Sequence, residues 1–210
     1  MIAESNHQKQ SGRNHVVLIH GLAAVRPIMW PLAWQIKKQG FSTSTFGYPS
    51  WWWSIEHHAR RFAACLSKLE SNPDIETISV VAHSMGGIVT RQAILESEFK
   101  KLHRVVMLAS PNQGSPVAKA LGYVLPFCKT LHQVSNRSGS FVLNLPEPEN
   151  VEIGVVAAQH DRVIPEPNSH LDCESDHVSI FSGHNGLLVR PTAIQHVVNF
   201  LKHGHFVRTQ

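Results

Sequence analysis

Short runs of apolar, mostly β-branched residues recur along the chain at intervals. The strong runs lie at 16–19, 78–82, 105–109 and 151–157, and two weaker ones lie at 41–46 and 178–181. Continuous apolar runs of this length are typical of parallel strands that are buried on both faces. The pattern therefore predicts a sheet of about six strands.

Helical patterns lie between these runs. The predicted helices are one that Gly40 ends, one that Ser54 caps, one over 84–97 and one over 189–201. Strands that alternate with helices form parallel sheets whose two faces are both covered. We therefore predict an α/β fold with a mainly parallel sheet and helices on both faces.

The segment from 111 to 150 interrupts this alternation. It contains five prolines and a loop-like stretch at 136–140. Connections this long inside a compact domain are usually lids, binding loops or disordered. We interpret the segment as a lid or substrate loop with one short helix over 115–123. Residues 15–206 are predicted to form a single domain, and 1–14 a polar tail.

Composition narrows the class of protein. Of the 210 residues, 42% are hydrophobic and 16% are charged, which is unlike a disordered chain. A net charge of +4 without a Lys/Arg run argues against a nucleic-acid partner. The three cysteines form no CxxC pair and favour reduced thiols. The polar N-terminus and the lack of a long apolar stretch lead us to expect a cytoplasmic protein.

The strongest chemical signal is the stretch Ala82–Gly87, which reads AHSMGG. A predicted strand runs there into a small-x-Ser-x-Gly turn, and a predicted helix follows at once. This context is typical of a nucleophile elbow, in which Ser84 stands above the sheet and Gly86 allows strand and helix to pack closely. The alternative is a serine in a glycine-rich turn, since so short a motif also arises by chance.

A serine nucleophile needs a base, and the base needs an acid that orients it. In elbow folds these residues follow in the order Ser, acid, His. Asp161 follows the strand at 151–157, and His184 follows the last predicted strand, so both are favoured. An aspartate after a strand is commonly only a turn former. The competing residues are Glu166, Asp172 and Asp176 among the acids, and His160, His170 and His177 among the histidines.

Two backbone N–H groups must also stabilise the oxyanion of the reaction. Met85, directly after the nucleophile, supplies one candidate, and Leu22, after the first core strand, supplies the other. Gly21 allows the backbone to turn there, although a plain strand-to-helix turn needs such a glycine too. His20 and His83 flank this loop and the nucleophile, and we interpret them as supporting residues.

These motifs resemble the α/β-hydrolase superfamily, and within it small lipase-like esterases. That branch includes bacterial lipases and catalytic domains similar to GPI inositol-deacylases. The resemblance extends from about His15 to Phe206. Besides the elbow, the matching pieces are 19–22, 48–50, 109–115, 161–165 and 184–188.

The resemblance implies a triad of Ser84, Asp161 and His184, an oxyanion hole at Leu22 and Met85, and hydrolysis of carboxylic esters through an acyl-enzyme. It implies no metal and no organic cofactor. The substrate would be a small-molecule ester with an apolar acyl chain, with transient contact to a membrane surface as an option. A thioesterase or acyltransferase would use the same residues, and a non-catalytic binding protein would keep only the fold.

The sequence departs from this family in ways that bear on substrate more than on chemistry. Ala82 and Arg162 stand where the family often has glycine. The outer strands of larger hydrolases and the long lid domains of large lipases have no counterpart, which argues against true interfacial lipase behaviour.

Other aromatic residues are interpreted as structural. For Trp51–Trp53 we favour core or edge packing, with at least one ring in the core, over an acyl-pocket wall or a membrane contact. The pairs His57/His58 and His203/His205 are interpreted as surface histidines, because no cysteine or carboxylate completes a metal site.

Overall fold

The structure is a computed structural model that describes residues 13–208. Residues 1–12, which hold most of the predicted polar tail, lie outside the described residues. The strands are β1 (Arg13–Ile19), β2 (Ser42–Phe46), β3 (Ile75–His83), β4 (Leu102–Leu108), β5 (Glu152–Ala158) and β6 (Asp176–Ile180). The α-helices are α1 (Trp30–Lys38), α2 (Ile55–Glu70), α3 (Met85–Glu96), α4 (Pro116–Val124), α5 (Lys129–Gln133) and α6 (Pro191–His203). Short 3₁₀ turns lie at Arg26–Met29, Val142–Asn144, Glu166–Ser169 and His184–Leu188.

The six strands form one sheet in the order β2-β1-β3-β4-β5-β6, and every neighbouring pair is parallel. The predicted fold class is therefore confirmed. The chain leaves β1 toward one edge of the sheet and then returns past β1 to build the other edge. Loops that diverge in this way open a crevice at the carboxyl ends of the strands, here those of β1 and β3.

The strands are buried on both faces because each face carries a pair of helices. Val17 and Ile19 of β1 pack into the core that contains α2 and α3. Val16 and Leu18 point to the opposite side, into the core that contains α1 and α6. This alternation explains why the strands appear in the sequence as continuous apolar runs.

The segment from 111 to 150 packs against the α2–α3 side of the sheet. It contains two helices, α4 and α5, so the prediction of one short helix missed α5. Leu131 and Leu145 are buried in the core there. The buried guanidinium of Arg91, on α3, donates hydrogen bonds to the carbonyl oxygens of Leu145 (2.7 Å) and Asn112 (3.4 Å). The elbow helix therefore anchors this segment.

The prediction that one of the three tryptophans lies in the core was wrong. Trp51, Trp52 and Trp53 are 42%, 79% and 48% exposed. They occupy the connection between β2 and α2 at the rim of the sheet, where only Ser50 is buried among residues 50–53.

The prediction that His58 is a surface histidine was also wrong. His58 is fully buried on α2, one helical turn before the core residue Phe62. The same helical spacing continues to Leu66, so the inward-facing stripe of α2 includes the histidine.

Within residues 13–208, no helix is both long enough and apolar enough to cross a bilayer.

Candidate active site

The turn between β3 and α3 has the strained geometry that an elbow requires. Ser84 adopts φ 54° and ψ −129°, in a region that non-glycine residues rarely occupy. Its N–H donates to the Leu108 carbonyl at 2.8 Å, which fixes the turn to the neighbouring strand. A Cβ at Gly86 would lie 2.7 Å from the carbonyl oxygen of His20, so only glycine fits there. The tight packing that the motif predicted is therefore present.

The loop after β1 lies directly against Ser84. A Cβ at Gly21 would lie 2.6 Å from Ser84 Cβ and 3.1 Å from Ser84 Oγ. His20 Nδ1 lies 2.9 Å from the Gly21 carbonyl oxygen, and the Tyr48 N–H approaches His20 Nε2 at 3.4 Å. This network assigns the proton to Nδ1, which donates to Gly21. The Gly21 carbonyl and the Leu22 N–H belong to the same trans peptide group and point in opposite directions. By holding the carbonyl, His20 therefore also fixes the direction of the Leu22 N–H.

Tyr48 is a supporting residue that sequence reasoning missed. Its hydroxyl donates to the His20 carbonyl at 2.7 Å, and its ring stacks on the His20 ring at a centroid distance of 4.6 Å. His58 packs on Tyr48 as well, also at 4.6 Å. Burial raises the pKa of Tyr48 and lowers the pKa of His58 to about 4. The sequence signal for Tyr48 was the piece 48–50 that matches the hydrolase family. In the same piece, Ser50 Oγ accepts a hydrogen bond from the Ala23 N–H at 3.0 Å.

Asp161 and His184 are brought together at the carboxyl edge of the sheet. His184 Nδ1 donates to Asp161 Oδ2 at 2.6 Å. The other carboxylate oxygen accepts the N–H groups of Val163 and Ile164, each at 2.8 Å. The Asp161 side chain has no exposed surface. Asp161 is thus a turn former and a histidine partner at once, and the two interpretations are compatible.

The competing acids and histidines lie elsewhere. Asp176 begins β6, at the end of the sheet away from Ser84, and its Oδ2 accepts the Phe206 N–H at 2.7 Å. His160 packs edge-on against Phe181 at 4.5 Å. In the part of the chain that the structure describes, no competing residue lines the cavity beside Ser84.

His83 supports the turn that carries His184. Its Nε2 lies 3.2 Å from the His184 carbonyl oxygen, and the two ring centroids are 4.9 Å apart. Burial, reinforced by the neighbouring His184, lowers the pKa of His83 to about 3. The ring is therefore neutral at physiological pH, and the contact requires Nε2–H as the donor to that carbonyl.

Ser84, Met85, Leu22 and His184 line one cavity of about 290 Å³. The segment 111–150 contributes apolar lining through Val117, Ala118, Leu121, Leu131 and Val134. Trp51 also lines this cavity, as the alternative of an acyl-pocket wall would have it. Within residues 13–208, no hydrogen bond joins the Ser84 hydroxyl to the His184 imidazole. In unliganded sites such bonds are often long and tighten only when substrate binds.

The sheet, the strained elbow and the loops around it define the class of protein. This is an α/β-hydrolase fold of the lipase- and esterase-like branch. The sequence profile of the PGAP1-like alpha/beta domain family matches residues 60–205, and the chain belongs to that family. No curated protein matches the sequence significantly.

Solved structures of lipases and esterases share the fold. The mature form of Bacillus licheniformis lipase BlEst2 is similar with a TM-score of 0.73, 15% identity and 94% of each chain covered. Aspergillus fumigatus lipase B has a TM-score of 0.73 at 14% identity over 97% of this chain and 56% of its own. The metagenomic carboxyl esterase MGS0156 has a TM-score of 0.67 at 16% identity over 83% of this chain and 65% of its own. At such identities the likeness concerns the fold.

Proposed function

We propose that this protein is a serine hydrolase that cleaves carboxylic esters through an acyl-enzyme intermediate. Ser84 is the nucleophile, His184 the general base, and Asp161 the acid that orients His184. The observation that carries the proposal is the 2.6 Å hydrogen bond from His184 Nδ1 to Asp161 Oδ2, in a cavity that also contains the strained Ser84. A histidine held in this way presents Nε2 to the nucleophile.

In the first half of the reaction, Ser84 Oγ attacks the ester carbonyl carbon while His184 Nε2 takes the hydroxyl proton. The carbonyl oxygen becomes an oxyanion that accepts hydrogen bonds from the N–H groups of Leu22 and Met85. The tetrahedral intermediate then collapses. The bond to the leaving oxygen breaks, and His184 gives its proton to the departing alcohol.

In the second half, water replaces the alcohol. His184 takes a proton from water as the water oxygen attacks the acyl carbon of the Ser84 ester. The same two N–H groups stabilise the second oxyanion. When that intermediate collapses, the bond to Ser84 Oγ breaks and the proton on His184 returns to it. The products are the free acid and the original enzyme.

The cavity favours an apolar acyl chain of short to medium length. Its volume of about 290 Å³ lies just below the range for ligand pockets, ~300–1,000 Å³. In this proposal the segment 111–150 is the substrate loop, because Leu121 and Leu131 line the cavity. Exposed Trp52 and Phe127 favour transient contact with a membrane surface where the ester is a lipid.

A panel of p-nitrophenyl esters of increasing chain length tests the proposal. We expect Ser84→Ala to lower kcat by about 10⁴-fold or more, as loss of a triad nucleophile does. Asp161→Asn is expected to be nearly as harmful, because it changes the tautomer that the acid selects. Asp176→Asn is the matched control, since this carboxylate faces Phe206.

Two further measurements separate the neighbouring functions. A fluorophosphonate should label Ser84 in the folded wild-type protein, as located by mass spectrometry of the peptide. Absence of labelling together with unchanged turnover in Ser84→Ala would exclude this mechanism and favour a binding protein. Parallel assays with thioesters and with alcohol acceptors distinguish ester hydrolysis from thioesterase or acyltransferase activity, which use the same residues.

A further inference from the structure

A second cluster of chemically active side chains lies outside the cavity. It consists of His170 and Glu174, in the loop before β6, and His177, on β6. Glu174 Oε1 lies 2.8 Å from His170 Nδ1 and 3.2 Å from His177 Nδ1. The two imidazole rings are stacked, with centroids 3.9 Å apart and planes 15° apart. Two ring nitrogens and one carboxylate oxygen of these three residues thus lie within 4.8 Å of one another.

The surrounding structure holds each of these residues in place. His177 is paired with Val155 in the sheet. The His170 carbonyl accepts from Gln113 Nε2 at 3.3 Å, and the second oxygen of Glu174 accepts the Leu171 N–H at 3.1 Å. The cluster is therefore built on fixed backbone rather than on freely rotating surface side chains.

The cluster is largely buried, and within the described part of the chain the ring nitrogens of its innermost histidine lack hydrogen-bond partners. The side chains of Glu174 and His177 are 14% and 17% exposed, whereas His170 is 47% exposed. Both ring nitrogens of His177 are shielded from solvent, and neither has a hydrogen-bond partner of good geometry within residues 13–208. A shielded polar atom without a partner calls for an explanation, and a bound ion is one of the recognised ones.

We propose that His170, Glu174 and His177 form a binding site for a divalent transition metal, with zinc as the ion that fits best. Two imidazoles and one carboxylate are a ligand set typical of zinc, whereas calcium and magnesium prefer oxygen ligands alone. Ligands bonded to tetrahedral zinc at ~2.0–2.1 Å lie about 3.3 Å from one another. The contacts of 2.8 and 3.2 Å therefore need to widen only slightly to admit the ion.

The position of the site indicates what the ion does. The exposed side of His170 leaves the fourth coordination position to water. His170 and Glu174 belong to the loop between β5 and β6, which also carries Asp161, and His177 belongs to the edge strand β6. The ion consequently ties this loop to the sheet, and it stabilises the folded protein in proportion to its occupancy. This role does not depend on the ester chemistry.

Metal titration of the chelator-treated full chain, without an affinity tag, tests the proposal. We expect one equivalent of Zn²⁺ by calorimetry, a rise in Tm, and with Co²⁺ the intense visible bands of tetrahedral coordination. Glu174→Gln and the exposed substitution His170→Gln should each weaken binding at least tenfold, because even outer-shell partners of a metal are worth about 10–100-fold. The double variant His203→Gln/His205→Gln is the matched control, since within residues 13–208 no third metal-ligating side chain accompanies that pair.

Specific outcomes would overturn the proposal. One is a wild-type chain that binds no stoichiometric Zn²⁺ and develops no tetrahedral Co²⁺ spectrum. Another is Zn²⁺ binding that survives both His170→Gln and Glu174→Gln, whether or not the control variant retains it. Because His170 is half exposed, His170→Gln is expected to fold normally even where Glu174→Gln does not, and it keeps the test decisive.

Discussion

Tightly packed backbone surrounds Ser84 on one side of the cavity, whereas segment 111–150 contributes a wall of apolar side chains. Around Ser84, added Cβ atoms at Gly21 and Gly86 would come within 2.6 and 2.7 Å of existing atoms. The wall from segment 111–150 presents replaceable apolar side chains such as Leu121 and Leu131. The difference indicates that reaction geometry and substrate fit are controlled separately. Substitutions on the nucleophile side should change the rate for every ester, and those on the wall should change the choice among esters.

Among substitutions that leave Ser84, Asp161 and His184 in place, the largest effect is expected for Gly21→Ala. The new methyl group would push the loop away from Ser84 and turn the Leu22 N–H away from the position proposed for the oxyanion. Loss of one oxyanion donor typically costs about 10²–10³-fold in kcat, and we expect that loss for esters of all chain lengths. Gly183→Ala is the control, because a Cβ there meets only the His160 carbonyl oxygen, at 3.9 Å. Equal losses in both variants would contradict a specific role for Gly21.

The link between the two sides is the target of the next variant, Arg91→Met. Arg91 lies on the elbow helix, but its guanidinium donates to the carbonyls of Leu145 and Asn112. Methionine keeps the aliphatic part and leaves those buried acceptors unpaired, so we expect the free energy of unfolding to fall by about 3 kcal/mol. Urea denaturation measures this, with exposed Arg61→Met as control. An unchanged midpoint would mean that the segment holds its place without the arginine.

The features that the sequence predicted well are local ones. Each central strand appears as a continuous apolar run because both of its faces are buried. The elbow is a short motif in which steric constraints determine the residue type at each small position. The hydrogen bond between His184 and Asp161 agrees with the order Ser, acid, His of elbow folds, while the catalytic roles of Ser84, Asp161 and His184 stay predictions. Local patterns of this kind can be recognised without knowing which elements touch.

The features that were missed depend on contacts between distant parts of the chain. Tyr48 supports His20 across 28 residues of sequence, and no local pattern marks that contact. Helix α5 is short and lies in a proline-containing segment that packs on the core. His170, Glu174 and His177 have the spacing of a helix, yet a turn and an edge strand bring them together. His58 is an exception, because its spacing with Phe62 indicated burial.

The next smaller effect concerns His83, which lies beside Ser84, and the dependence of the free energy of unfolding on pH. Burial lowers the pKa of His83 from 6.5 to about 3, so below pH 6.5 the unfolded chain binds a proton that the folded chain does not. The contribution of neutral His83 to the free energy of unfolding is therefore fully present above pH 6.5 and decreases as the pH falls toward 3. By pH 5 the loss from this residue is about 2 kcal/mol.

Thermal or urea unfolding of His83→Gln between pH 7 and pH 5 measures that contribution. Glutamine does not titrate, so the variant should lose less stability over this interval than the wild type. Exposed His203→Gln should follow the wild-type curve. If all three proteins show the same pH dependence, His83 is not the group responsible.

The smallest effect, and the most direct test of the wall, is expected for Leu121→Trp. Leu121 is half exposed on α4 and lines the cavity, so a larger ring there removes space from about 290 Å³. We expect kcat/KM for the longest accepted acyl chain to fall about tenfold relative to acetate esters. This is the size of effect that one methylene group produces in a hydrophobic pocket. Val124→Trp, on the same helix but outside the lining, should leave the ratio unchanged. A uniform loss at every chain length would mean instead that α4 acts on the nucleophile itself, and the separation of rate from selectivity would not hold.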